Sequence, residues 1–120
     1  MNFSAVTYSL VNGIDTLNDN LGVFKHIFRE SSVDAITTYT TTATVVNSSV
    51  YLMIINNVLN LTTFYKPSIV WLTIHNSTLK HDVSSDGDSK LSSITLNANL
   101  TLTLAFTASM RPVIQVYKII

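Results

Sequence analysis

The clearest pattern in the sequence is an alternation of apolar and polar side chains over residues 94–110. Every even position from Ile94 to Met110 is apolar, whereas the odd positions, apart from Ala105, carry Thr, Asn or Ser. A period of two is typical of a β-strand with one buried face and one polar face. A single strand of this length is unusual. We therefore expect either a bend near residues 97–99 or an extension towards a neighbouring molecule.

Strand-like segments separated by turn residues continue along most of the chain. They are rich in β-branched and aromatic residues, which fit a pleated surface. Residues 50–55 are apolar at consecutive positions, which predicts a central strand buried on both faces. Turns are predicted at residues 47–49, 56–57 and 76–77, and a loop at 84–90. The predicted strands cover residues 4–11, 33–46, 50–55, 58–65, 68–75, 78–83, 94–110 and 113–120.

One segment near the beginning of the chain has a different period. Its apolar residues recur at spacings of three and four, as on one stripe of a helix. These residues are Ile14, Leu17, Leu21, Phe24 and Phe28. Acidic residues near the start of the segment and basic residues near its end suit the helix dipole. We predict a short helix over residues 14–29, with two short strands, the second over 22–29, as the alternative.

These elements predict an all-β fold with about eight strands. Closely spaced strands with short turns favour an antiparallel β-sandwich, jelly-roll-like, or a barrel. The regular alternation of strands and helices that marks a parallel sheet is missing. A length of 120 residues is typical of one domain. We therefore predict that residues 1–120 form a single β domain.

Charged residues are scarce and unevenly distributed. They make up 12% of the chain, and the formal net charge is zero. Residues 35–65 and 91–110 contain no Asp, Glu, Lys or Arg. Exposed strand edges in monomeric proteins usually carry charges that prevent pairing with another chain. We expect that these uncharged strands are either internal or in contact with another molecule.

The composition disfavours several classes of function. A basic stripe typical of nucleic-acid binding is missing, so no nucleic-acid partner is expected. The chain has no Cys, which excludes disulfides and thiol chemistry. No apolar run is long enough for a membrane-spanning helix, and the first residues do not resemble a secretory signal.

Two groups of side chains are candidate metal sites. His75, His81 and Asp82 lie near one predicted hairpin, and Asp82, Asp86 and Asp88 offer oxygen ligands for calcium. Neither group has the ligand number or spacing of the common metal sites. We interpret both as turn residues and expect no metal and no other cofactor.

Catalytic motifs are also lacking. The three glycines form neither a nucleophile elbow nor a phosphate loop. We therefore predict that the protein is not an enzyme and has no small-molecule substrate. Five aromatic residues could instead form a sugar-stacking platform, although a Trp in an apolar strand is more often core. They are Tyr39, Tyr51, Phe64, Tyr65 and Trp71.

The overall pattern favours a structural subunit. Thr, Ser and Asn make up about a third of the chain, and their neutral side chains are cheaper to bury than charges. We predict a virion protein, such as a small capsid, decoration, turret or tail component, whose partners are its own copies and other virion or surface-assembly proteins. The alternatives are an extracellular filament or surface-layer subunit, located outside the cell or at its surface, and a monomeric carbohydrate-binding β-sandwich.

The predicted assembly interface is the polar side of the Thr-rich strands. It consists of Thr40, Thr42, Thr44, Thr101, Thr103 and Thr107. The apolar side of the alternating segment is predicted to form the core through Leu100, Leu102, Leu104 and Phe106.

Overall fold

The computed structural model describes residues 24–58 and 65–119. Within these two ranges the regular structure consists of eight β-strands, without a helix. The strands are β1 Phe24–Ser31, β2 Ile36–Thr40, β3 Ser49–Asn57, β4 Ser68–His75, β5 Thr78–Ser85, β6 Leu91–Leu96, β7 Leu102–Met110 and β8 Pro112–Ile119. The predicted all-β class with about eight strands is confirmed.

The strands form two antiparallel sheets. The five-stranded sheet has the order β1-β8-β3-β4-β5, and the three-stranded sheet has the order β2-β7-β6. All strand pairs are antiparallel. The edges are therefore β1 and β5 in the larger sheet, and β2 and β6 in the smaller one. The chain changes sheet after β1, β2, β5 and β7.

One hydrophobic cluster takes side chains from both sheets. Met53, Leu72 and Ile114 of the five-stranded sheet belong to it, together with Leu102 and Leu104 of the three-stranded sheet, and all five are fully buried. Burying one such side chain contributes about 1.5–3 kcal/mol. We call the face of each sheet that enters this cluster its inner face.

Strand β3 is buried on both of its faces, which confirms the prediction for residues 50–55. Met53 belongs to the inner cluster, whereas Leu52 and Ile54 form a second cluster with Tyr117. The predicted turn at residues 56–57 is wrong. The two asparagines are the last residues of β3, because both continue the register with β8.

The predicted helix is wrong where it can be compared. Residues 14–23 lie outside the described ranges, as does the predicted strand 4–11. Residues 24–29 are part of β1, which matches the described part of the alternative strand at 22–29. Pairing with β8 along the whole of β1 supplies backbone hydrogen bonds that replace those of a helix.

A β-bulge explains why the spacing of β1 resembles that of a helix. The register with β8 shifts between His26 and Phe28, with Ile27 as the extra residue. Phe24 consequently packs against the second cluster, on the outer face of the sheet, while Phe28 is buried in the inner cluster. Their spacing of four residues therefore does not mark a common face.

The alternating segment at residues 94–110 is a hairpin and not one strand. Strand β6 ends at Leu96 and β7 begins at Leu102, which confirms the predicted bend near residues 97–99. The Leu100 N–H donates to the Asn97 carbonyl at 2.9 Å, and Leu100 has a φ of 66°. Leu100 thus lies half-buried in the turn, whereas the other three predicted core residues are buried.

Several other strand bounds differ from the prediction. The predicted strand 33–46 is reduced to β2, and residues 41–48 form a connection without regular structure. Of the predicted strand 58–65, residues 59–64 lie outside the described ranges, and Val58 and Tyr65 are not in a strand. Strand β4 has the predicted bounds, and β5 is two residues longer than predicted.

Candidate functional site

The outer face of the three-stranded sheet carries only small, uncharged side chains. Across the sheet, Thr103 of β7 pairs with Thr40 of β2 and with Thr95 of β6. One step further along β7, Ala105 pairs with Thr38 and Ser93. These positions alternate with the buried residues of the inner face. We call the group the threonine face; it consists of Thr38, Thr40, Ser93, Thr95, Thr103 and Ala105.

The hydroxyl groups at the centre of the threonine face bond to each other and to one amide. The Thr40 and Thr103 hydroxyl oxygens lie 2.9 Å apart. The Asn97 side-chain amide donates to the Thr103 hydroxyl at 2.9 Å and to the Thr101 hydroxyl at 3.0 Å. Polar groups that are already hydrogen-bonded lose little when water is removed. This face can therefore be covered by another surface at a low desolvation cost.

The edges next to the threonine face have no charged side chain. Neither β2 (ITTYT) nor β6 (LSSITL) contains Asp, Glu, Lys or Arg. The edge strands of the five-stranded sheet differ, because β5 exposes Lys80 and Asp82, and β1 exposes Lys25 and Arg29. Charges on an edge strand oppose pairing with another chain. Only the three-stranded sheet has edges without this protection among the described strands.

The structure separates the six threonines of the predicted interface. Thr40 and Thr103 lie in direct contact on the threonine face. Thr101 is buried in the turn before β7. Thr107 is exposed towards the other end of β7, where its N–H donates to the Lys90 carbonyl.

The remaining two predicted threonines lie outside the face. Thr42 and Thr44 are exposed in the connection at residues 41–48. Conversely, sequence reasoning missed Thr38, Ser93 and Thr95. The period of two within β2 and β6 contains the signal that could have identified them, once the register with β7 is known.

A group of hydrogen bonds to one carboxylate joins the two sheets near β2. Glu30 of β1 accepts hydrogen bonds from the Tyr39 hydroxyl and from the N–H groups of Thr42 and Ala43, each at 2.8 Å. We call this contact the Glu30 clamp. Burial raises the pKa of the carboxyl, but the backbone and hydroxyl donors outweigh this effect, so the pKa of Glu30 lies below its ordinary 4.5. Burial and the adjacent carboxylate raise the pKa of Tyr39 to about 12.

The first candidate metal ligands are not brought together as a site. His75 pairs with Thr78, whereas His81 pairs with Leu72 further along the same two strands. Within residues 24–58 and 65–119, no group of three or more His, Cys, Asp or Glu side chains is arranged to hold a metal ion.

The aspartates of the 86–90 loop have a structural role. The Asp88 carboxylate accepts from the Lys66 N–H at 2.8 Å, and the Asp88 N–H donates to the Lys66 carbonyl at 2.9 Å. The Ser68 hydroxyl donates to the Asp86 carbonyl. These bonds hold the loop against the segment that leads into β4.

The described aromatic residues do not form one platform. Tyr51 pairs with Leu72, and its neighbour Leu52 pairs with Trp71, so Tyr51 and Trp71 lie on opposite faces of the sheet. Tyr39 packs against the inner cluster, and its hydroxyl is bound by Glu30. Phe64 lies outside the described ranges.

Comparison with protein-family models, with curated proteins and with solved structures gives no match. In the part of the chain that the structure describes, no helix is long and apolar enough to span a membrane.

Proposed function

We propose that this protein is a non-enzymatic structural subunit that self-associates through the threonine face and the adjacent edges of β2 and β6. The observation that supports the proposal is that no residue of β2, β6 or the threonine face is charged, whereas both edge strands of the five-stranded sheet carry charges. The Glu30 carboxylate, which reaches β2 from β1, accepts three hydrogen bonds there.

The geometry favours a second copy of the chain as the partner. A neutral Thr- and Ser-rich face is complementary to itself, because hydroxyl groups both donate and accept hydrogen bonds. The unpaired backbone groups of β2 or β6 can pair with a neighbouring strand without bringing like charges together.

The two sheets, in this proposal, pack face to face as a jelly-roll-like β-sandwich. The inner hydrophobic cluster supports this arrangement because it contains residues of both sheets. The strand order does so as well, since the chain crosses repeatedly between the sheets and its first and last described strands pair. Such a sandwich leaves the threonine face on the outside.

The assembly that we propose is a virus particle, in which the protein serves as a small capsid, decoration, turret or tail component. The composition supports this setting, because low charge, no Cys and a high content of Thr, Ser and Asn suit a subunit whose surfaces are largely covered by neighbours.

Amide hydrogen exchange at low and high protein concentration tests the proposed interface. Association should slow exchange in β2, β6 and β7 at high concentration and leave β5 unchanged, since covered edges exchange more slowly. Protection confined to β5, or exchange independent of concentration in a self-associating sample, would refute the proposed surface.

A further inference from the structure

A cavity of about 420 Å³ opens at one end of the inner face of the five-stranded sheet. This volume falls within the range of small-molecule sites, about 300–1,000 Å³. Its apolar wall includes Ile27, Val46 and Tyr51, and Thr44 is a polar residue of the lining. The cavity is distinct from the threonine face, which lies on the outer side of the other sheet.

Two lysines line the same cavity. Lys25 of β1 and Lys118 of β8 are direct partners in the antiparallel register, so their side chains leave the sheet on the same side. Like charges placed opposite each other on neighbouring strands are destabilising. The described residues that line the cavity include no carboxylate to offset this repulsion.

Protection of an edge explains only one of the two charges. Lys25 lies on the edge strand β1, where an inward charge can prevent unwanted pairing. Lys118, however, lies on β8, which is paired on both sides by β1 and β3. The second lysine therefore has no role in guarding an edge, and an anion between the two lysines would offset their repulsion.

Hydrogen bonds within the protein hold part of the cavity wall. The Val46 N–H donates to the Tyr51 hydroxyl at 2.8 Å, and the Val45 N–H donates to the Leu100 carbonyl at 2.9 Å. The Glu30 clamp fixes Ala43, the residue before Thr44. A preformed wall lowers the entropic cost of binding.

We propose that this cavity binds a linear aliphatic carboxylate, with the carboxylate between Lys25 and Lys118 and the alkyl chain against Ile27, Val46 and Tyr51. Charge complementarity selects the head group, and the apolar wall selects an alkyl body over a sugar or a nucleotide. The cavity shares no residue with the threonine face, so octanoate binding and self-association can succeed or fail separately.

The test uses octanoate below its micelle concentration, with acetate and octanol as the head-only and tail-only probes. Amide chemical shifts of the full chain should report octanoate binding at Tyr51, Lys118 and Ile119. Acetate and octanol should each bind at least about tenfold more weakly, since each lacks one half of the interaction.

Charge-removing variants complete the test. Lys25→Met and Lys118→Met retain the apolar stems, and the double variant should weaken octanoate binding by about tenfold or more. Lys80→Met, on the exposed edge strand β5, is the matched control and should bind as the parent does. The proposal is overturned by wild-type affinity in a folded double variant, by acetate binding as tightly as octanoate, or by the absence of octanoate shifts at the cavity.

Discussion

The carboxylate of Glu30 lies 2.8 Å from the hydroxyl of Tyr39 and joins the edge strand β1 of one sheet to the edge strand β2 of the other. The same carboxylate accepts the N–H groups of Thr42 and Ala43, which follow β2. This one side chain therefore fixes both the edge of the three-stranded sheet and the start of the connection that forms the cavity wall.

Glu30→Gln should destabilise the protein by about 1–2 kcal/mol at neutral pH, because the amide places its own donor against one of the backbone N–H groups. The pKa of Glu30 is lowered in the folded state, so its contribution is present above pH 4.5 and is lost as the pH falls through the folded value. The stability difference between parent and variant should therefore shrink below pH 4.5. Denaturant unfolding from pH 7 to pH 2 measures this difference.

The matched control for the clamp is Asp34→Asn, which neutralises an exposed carboxylate in the connection after β1. It should change stability by less than about 0.5 kcal/mol, as surface substitutions usually do. An equal loss in both variants would show that net charge, and not the Glu30 clamp, is responsible.

Tyr39→Phe should remove the hydroxyl that donates to Glu30, and with it a contribution to stability that depends on alkaline pH. The pKa of Tyr39 is raised from 10.0 to about 12, so its stabilising effect is complete below pH 10 and is lost as the pH rises through 12. The stability advantage of the parent over Tyr39→Phe should fall across this interval. Tyr65→Phe serves as the control, and a similar alkaline loss there would argue against the assignment.

Gly87→Ala should destabilise the protein more than Asn76→Ala, although both positions have a positive φ. A Cβ at position 87 would lie 2.3 Å from the Pro67 carbonyl oxygen and 2.7 Å from that of Lys66, and Gly87 has a φ of 57°. Asn76→Ala places Ala at a φ of 50° on an exposed turn and should cost only about 1–2 kcal/mol. Thermal unfolding of the two variants compares them, and equal losses would show that the loop does not dock on residues 66–67.

Leu104→Ala tests whether the two sheets share one core. Leu104 of the three-stranded sheet is fully buried, and its truncation should cost about 2–5 kcal/mol. Trp71 on the five-stranded sheet is the single tryptophan of the chain, so its fluorescence reports unfolding of the other sheet. The Trp71 transition should shift to lower denaturant in Leu104→Ala and stay in place in Val33→Ala, since Val33 is 84% exposed. An unchanged Trp71 transition in Leu104→Ala would show that the two sheets unfold independently and do not share one core.

The alternation of side chains predicted much of the fold because it depends on local geometry. The even residues Ile94, Leu102, Leu104 and Phe106, on both sides of the turn, are buried as the alternation predicts, whereas Ala108 is exposed. The bounds of β4 were correct, since the apolar run is closed by His75 before the Asn76 turn.

The rest of the fold depends on which strands pair and in which register, and the alternation of side chains does not determine either. The bulge in β1 gives Phe24 and Phe28 a helix-like spacing although they lie on opposite faces. The two asparagines that end β3 resemble a turn pair, but they are paired with β8. The threonine face was predicted only through Thr40 and Thr103, because its other members become neighbours through the register of β2, β7 and β6.

The central proposal, self-association through the threonine face, is tested by a charge at its centre. Thr103→Lys places a lysine between Thr40 and Thr95, where a covering copy would have to desolvate it without a partner. The folded chain should tolerate this lysine because the strand face is open to water in the isolated molecule. Thr78→Lys, at an exposed position on the charged edge strand β5, is the matched control.

The most direct measurement is the solution mass of the parent, Thr103→Lys and Thr78→Lys by sedimentation over a wide range of protein concentrations. We expect the parent and Thr78→Lys to form higher-mass species as concentration rises, while Thr103→Lys remains a folded monomer with the circular dichroism of the parent. A parent that stays monomeric at every concentration, or a Thr103→Lys variant that assembles as the parent does, would contradict the proposal.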